Sequence, residues 1–213
     1  MSWSRLRDVV LVAALIGAVV ISFWLLRSGD GVDPAPGDGP PATPRALAAG
    51  TERIRSELRP DGSIRVAHWL RTTAAVDRLH VEVADGLRAR DLEVGVPGSS
   101  VVSAGSVEGG RTVRLGSSSN VVYVRYELEG AVARSGSTPG RSLAEVTFVA
   151  IEVDQQPRTR VLEVVGGTVR ALACLSDARG DAPRPCGRPV GDHWQVRLSG
   201  DEADDEVSAQ VDL

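Results

Sequence analysis

Residues 63–71 read SIRVAHWLR, and they alternate: Ile64, Val66, His68 and Leu70 share one side of an extended chain, with Arg65, Trp69 and Arg71 on the other. A period of two is the signature of a strand that buries one face and wets the other. Leu79, Val81 and Val83 repeat the pattern, as do Leu92, Val94 and Val96, and then Val122, Val124, Tyr126 and Leu128. Near the C-terminus the same spacing links Trp194, Val196 and Leu198, and finally Val207, Ala209, Val211 and Leu213. Gly, Pro, Asp or Ser interrupts the alternation every ten residues or so, giving about ten candidate strands. The expectation is an all-β domain over residues 51–213, antiparallel, with a β-sandwich as its leading architecture. The immunoglobulin hallmarks are missing, because the two cysteines are close together and no tryptophan lies between them.

Two turns are well marked. Pro60-Asp61-Gly62 sets a residue of fixed φ ahead of two that tolerate a left-handed backbone, which predicts a hairpin between a strand near Ile54 and the one starting at Ser63. Gly166-Gly167 is predicted to join Thr159–Val165 to Thr168–Leu175 in the same way. The run Val146 to Ile151 is apolar on both faces and predicts a central strand or a bulge. Thr43-Pro44 suits the start of a short helix through Ala49, and Glu52 to Leu58 fits helix or strand.

Upstream of the β pattern the chain changes character. Val9 to Leu26 is 18 residues whose only polar side chain is Ser22. As a helix it would be about 27 Å long, close to the hydrocarbon thickness of a bilayer. Arg5 and Arg7 precede it, whereas Arg27 is followed by Asp30, Asp33 and Asp38, so the positive-inside rule leaves residues 1–8 cytoplasmic and exports the rest. A cleaved signal peptide is the rival reading, but no small-x-small site follows the apolar run directly; the first Ala-x-Ala, Ala46 to Ala48, lies well downstream. The reading is a single uncleaved transmembrane helix over 9–26, which makes the lipid bilayer a partner of Val9 to Leu26. Residues 27–50, rich in proline and glycine, cannot bury enough surface to fold and read as a spacer.

Composition excludes several chemistries. Every Lys/Arg position is arginine, which removes Schiff-base lysines, Ser-Lys dyads and the usual phosphate-binding loop. The net charge of -4, with acidic residues spread along the chain, argues against nucleic acid as a partner. Cys174 and Cys186 flank a loop with Pro183 and Pro185 and are read as a disulfide, since a metal site lacks further cysteines and a redox pair is normally closer. The bridge is expected to tie the ends of a long loop between the strand ending at Leu175 and one near His193.

No catalytic constellation emerges. The three histidines, His68, His80 and His193, belong to no metal spacing; His68 is expected to point inward and His80 outward. Gly140-Arg141-Ser142-Leu143-Ala144 lacks the closing glycine of a nucleophile elbow and enters a strand. The acidic turn from Asp201 to Glu206 has irregular spacing for a cation and reads as solvated charge. No catalytic residue, metal ligand or cofactor is assigned. One binding candidate stands out, Trp69 between Arg65 and Arg71, because Trp and Arg are enriched at recognition hot spots; the plainer alternative is a tryptophan packed under a second layer. The functional expectation is a membrane-anchored, extracytoplasmic binding or accessory protein that engages a protein or polymer of the cell envelope. The alternative is an extracytoplasmic hydrolase using paired carboxylates, whose separation a sequence cannot supply.

Overall fold

The β1–β2 hairpin forms where the turn chemistry places it. Asp61 Oδ1 accepts from both the backbone N–H and the hydroxyl of Ser63 at 2.9 Å, and Gly62 takes a φ of 90° that a side chain would resist. In this computed structural model the described residues are 47–147, 149–176 and 182–213, and they all fall within the compact unit Asp38–Leu213. The predicted span Val9–Leu26 and most of the spacer lie outside the described residues; among those residues no helix is long and apolar enough to cross a membrane.

In chain order the strands are β1 (Thr51–Leu58), β2 (Ile64–Val83), β3 (Arg88–Gly95), β4 (Val102–Val107), β5 (Gly110–Glu129), β6 (Val132–Arg134), β7 (Arg141–Glu145), β8 (Val149–Glu152), β9 (Thr159–Val165), β10 (Thr168–Leu175), β11 (Arg184–Cys186), β12 (Arg188–Val190), β13 (His193–Ser199) and β14 (Glu206–Asp212). The all-β expectation holds, with one short 3-10 turn at Gly200–Glu202 among the described residues. The larger sheet runs β12-β13-β9-β1-β2-β5-β3-β4, with β8 added to β2; the smaller runs β11-β10-β14-β7-β6, and neither closes on itself. Both feed one apolar cluster, Val66, Val124 and Leu162 from the larger sheet meeting Ala144, Leu172 and Val207 from the smaller.

Three local expectations are corrected and one ambiguity is resolved. The pairing is not antiparallel throughout, since β1 and β9 run parallel in register from Thr51↔Thr159 to Glu57↔Val165. Glu52 to Leu58, ambiguous in sequence, is strand β1, because partners on both sides satisfy its backbone. Gly166-Gly167 does not close a hairpin: it carries the chain from β9 in one sheet to β10 in the other. A Cβ on Gly166 would lie 2.3 Å from the Leu58 carbonyl oxygen, and both glycines hold positive φ, so the crossing needs residues without side chains. The apolar run from Val146 is likewise a crossing and not a central strand. Val146 is buried between the sheets, its N–H donating to Val207, and only Val149–Glu152 pairs, against the second half of β2.

That second half exists because β2 and β5 are each 20 residues long and lose register together between Arg71 and Arg78. Thr72 donates to the Ala74 carbonyl at 2.5 Å at this irregularity, a local bond that competes with the ladder. Before the break β2 lies between β1 and β5; beyond it β8 replaces β1. Cys174 and Cys186 are bonded, their Cα atoms 5.8 Å apart on paired strands β10 and β11. The stretch between Leu175 and His193 is not all loop as expected, since Arg184–Cys186 forms β11 and Arg188–Val190 forms β12.

Candidate functional site

The strands β9, β1, β2 and β5 lie side by side and carry chemistry on both faces. On the inner face, Glu52 of β1, His68 of β2, Tyr126 of β5 and Arg160 of β9 form one polar chain inside the apolar cluster. His68 Nδ1 is 2.9 Å from Glu52 Oε1, His68 Nε2 is 2.8 Å from the Tyr126 hydroxyl, and Arg160 Nε donates to Glu52 Oε2 at 2.9 Å. His68 is 1% exposed and Glu52 and Tyr126 are each 4% exposed. One assignment of protons satisfies every member: Tyr126 donates to Nε2, Nδ1–H donates to one carboxylate oxygen, and Arg160 donates to the other. Burial pushes the Glu52 carboxyl up, but His68 and Arg160 together outweigh it and hold the group below its ordinary value of 4.5. Burial drives the Tyr126 phenol well above its ordinary 10.0, with the Glu52 charge adding to it. The inward histidine expected from the alternation is therefore here, supported by partners that its own strand does not reveal.

The outer face of the same strands is built differently. Register brings Arg53 of β1 beside Trp69 of β2 and Trp69 beside Tyr123 of β5, while Val161 of β9 links Arg53 to Arg197 of β13. The Trp69 and Tyr123 rings are tilted at 45° with centroids 5.6 Å apart, and Tyr123 is buried beneath its neighbours. The next row holds Glu163, Arg55, Ala67, Arg125 and Glu93. Glu163 is covered by Arg53 at 2.5 Å, by Gln195 at 3.3 Å and by Arg55 at 4.0 Å; Arg125 pairs with Glu93 at 2.5 Å. Burial raises the Tyr123 phenol above its ordinary value against the opposing charge of Arg125.

Of the three residues singled out in the sequence, Arg65 and Arg71 are exposed and Trp69 is half-buried on this face. The structure keeps them together, but at the middle of the sheet and not at an edge. Arg71 donates to the Leu47 carbonyl at 2.9 Å, where the chain enters the domain at the end of the predicted spacer. Arg65 and Arg197 have no carboxylate partner among the described residues, and the indole N–H of Trp69 is buried without a hydrogen-bond partner. Arg53, Arg55, Tyr123, Arg125 and Arg197 were not legible as members: they are alternate residues of β1, β5 and β13, and only the strand order unites them with β2.

Other candidates are held differently. A depression formed by the β2–β3, β4–β5 and β5–β6 turns is lined by Asp85, Arg88, Glu108 and Glu129, but Arg88 is paired with Glu108 and Arg90 with Glu129. In the acidic turn, Arg184 reaches both Glu202 and the buried Asp205 at 2.9 Å. His80 contacts Glu82 and Thr112, and His193 contacts Asp192, all at 3.1 Å.

No family model and no curated protein matches the chain. Among solved structures, an aminopeptidase N family protein from Idiomarina loihiensis is similar, with 13% identity, a TM-score of 0.43, and 76% of this chain aligned to 29% of that one. An M1 zinc metallopeptidase from Deinococcus radiodurans aligns with 75% of this chain and 41% of its own, at 13% identity and a TM-score of 0.30. The chain thus spans less than half the length of these proteins. Likeness of this degree assigns neither a fold family nor an activity.

Proposed function

We propose that the protein is a membrane-anchored, extracytoplasmic binding module: a β-sandwich tethered by the 9–26 helix through the spacer, engaging a component of the cell envelope with the outer face of β9, β1, β2 and β5. The observation that carries this reading is the composition of that face. Four adjoining strands in the middle of a sheet present a half-buried tryptophan among arginines, and Arg65, with Arg197 on adjoining β13, forms no salt bridge among the described residues. Trp and Arg at the centre of a surface, with a polar rim, is the anatomy of a recognition hot spot. The disulfide supports the compartment, since bonded cysteines persist where the environment is oxidising. The apolar run and its asymmetric arginines support the anchor.

The test uses the full chain in cells, with a photo-crosslinking residue replacing Ala67, between Arg65 and Trp69. The control position is Leu143 of β7, which is 46% exposed on the smaller sheet. The expected result is a specific envelope adduct from the Ala67 position alone, together with digestion of the domain by protease added outside an intact membrane. Equal adducts from both positions, or a domain that an intact membrane shields from that protease, would overturn the reading.

A further inference from the structure

We infer that the ligand of this outer face is an acidic polysaccharide, a chain of hydroxylated sugar rings carrying carboxylate or phosphate groups at intervals; the inference rests on the binding role proposed above. Three features point to that chemistry. The first is surplus positive charge. Arg53, Arg55, Arg65, Arg71, Arg125 and Arg197 share the face and outnumber Glu57, Glu93, Glu127 and Glu163 there, although the chain as a whole carries a net charge of -4; among the described residues Arg65 and Arg197 form no salt bridge, with Glu57 and Glu127 opposite Arg65 in register. Guanidinium groups bind carboxylate and phosphate through paired N–H donors and hold them in a fixed orientation.

The second feature is the spacing of those charges. Residues four apart along a strand are separated by about 13 Å and strands three apart by about 14 Å, so Arg65 and Arg197 flank Trp69 at similar distances in two directions. Glu57, Glu127, Glu93 and Glu163 occupy outer positions between and around them. A nucleic acid, with a phosphate on every unit, would meet repulsion at these carboxylates; a polymer with sparser anions would not, and its hydroxyls would donate to them. The third feature is Trp69 itself. Its half-buried ring, backed by Tyr123, offers a flat apolar surface to a sugar ring, while its indole N–H is buried and faces away from any ligand. A run of acidic residues alone, such as polyglutamate, would satisfy the arginines but has no ring to lay on the indole.

The experiment measures binding of the full-length protein in neutral detergent to four immobilised probes: hyaluronate, whose carboxylates sit on alternate sugars, uncharged dextran, polyglutamate and a single-stranded DNA oligonucleotide. The inference predicts saturable binding to hyaluronate, weakened by salt, at least tenfold tighter than to any of the other three. Arg65→Gln combined with Arg197→Gln should lower that affinity tenfold or more, and Trp69→Phe several-fold, with thermal unfolding of the arginine variant unchanged. Polyglutamate or DNA bound as tightly, dextran bound equally, no binding to hyaluronate, or variants that bind like the parent would each overturn it. Failure here with the Ala67 adduct retained removes the polysaccharide alone; loss of both removes the binding face.

Discussion

The same four strands present two faces that use polar groups in opposite ways. Inside, Glu52, His68 and Tyr126 are dry and joined by hydrogen bonds, and Arg160, one-fifth exposed, closes the set through its Nε–H to Glu52. Outside, Arg65 and, on neighbouring β13, Arg197 face water and form no salt bridge among the described residues, although Glu57 and Glu127 stand opposite Arg65. A buried polar chain left half-satisfied costs more than it returns, so the inner set must be complete to exist. Unspent donors on a solvated face cost little, because water covers the guanidinium groups until a ligand replaces it. The difference teaches where to look for binding: the residues left unsatisfied, rather than those arranged most neatly.

Breaking the inner set should give the largest effect. Glu52→Ala leaves His68 buried without its acceptor and takes from the partly exposed Arg160 its carboxylate partner, and should destabilise the domain by about 2–4 kcal/mol, read from urea denaturation. A loss below about 1 kcal/mol would mean that water or rearrangement replaces the carboxylate, and the contrast between faces would weaken. Tyr126→Phe removes one hydroxyl and leaves His68 Nε2 unpaired, so about 1–3 kcal/mol is expected in the same measurement.

The pH dependence sharpens the contrast. Glu52 is held below 4.5 when folded, so the unfolded chain takes up the proton first as pH falls. The contribution of Glu52 is therefore complete above about 4.5 and is lost as pH falls from there through the folded value. Tyr126 is shifted the other way: the unfolded chain releases its phenolic proton first, so the stabilisation present below 10.0 is lost as pH rises from that value. Glu52→Ala should flatten the acid limb of the stability profile relative to the parent, and Tyr126→Phe the alkaline limb. Unaltered limbs would show that other groups govern both.

How much of this was legible in the sequence follows from the range of each interaction. Alternation sets a side chain's face within its own strand, which is why His68 inward and Arg65, Trp69 and Arg71 outward could be read. The Pro60-Asp61-Gly62 turn is equally local. Strand order is not: Glu52 and Arg160 are 108 residues apart and meet only because β1 pairs with β9 in parallel. Their partnership, and the row from Arg197 through Arg53 to Tyr123, depend on that pairing. Gly166-Gly167 shows the remaining ambiguity, since a glycine pair signals a tight reversal whether the next strand returns to the same sheet or leaves it.

The smallest expected stability change carries the most direct test. Arg65→Gln with Arg197→Gln alters only exposed side chains that form no salt bridge among the described residues, so its unfolding free energy in urea should match the parent within about 0.5 kcal/mol. In the same variant the crosslink from the Ala67 position to the envelope should fall at least tenfold. An unchanged unfolding free energy with crosslinking at the parental level would contradict the assignment of binding to this face.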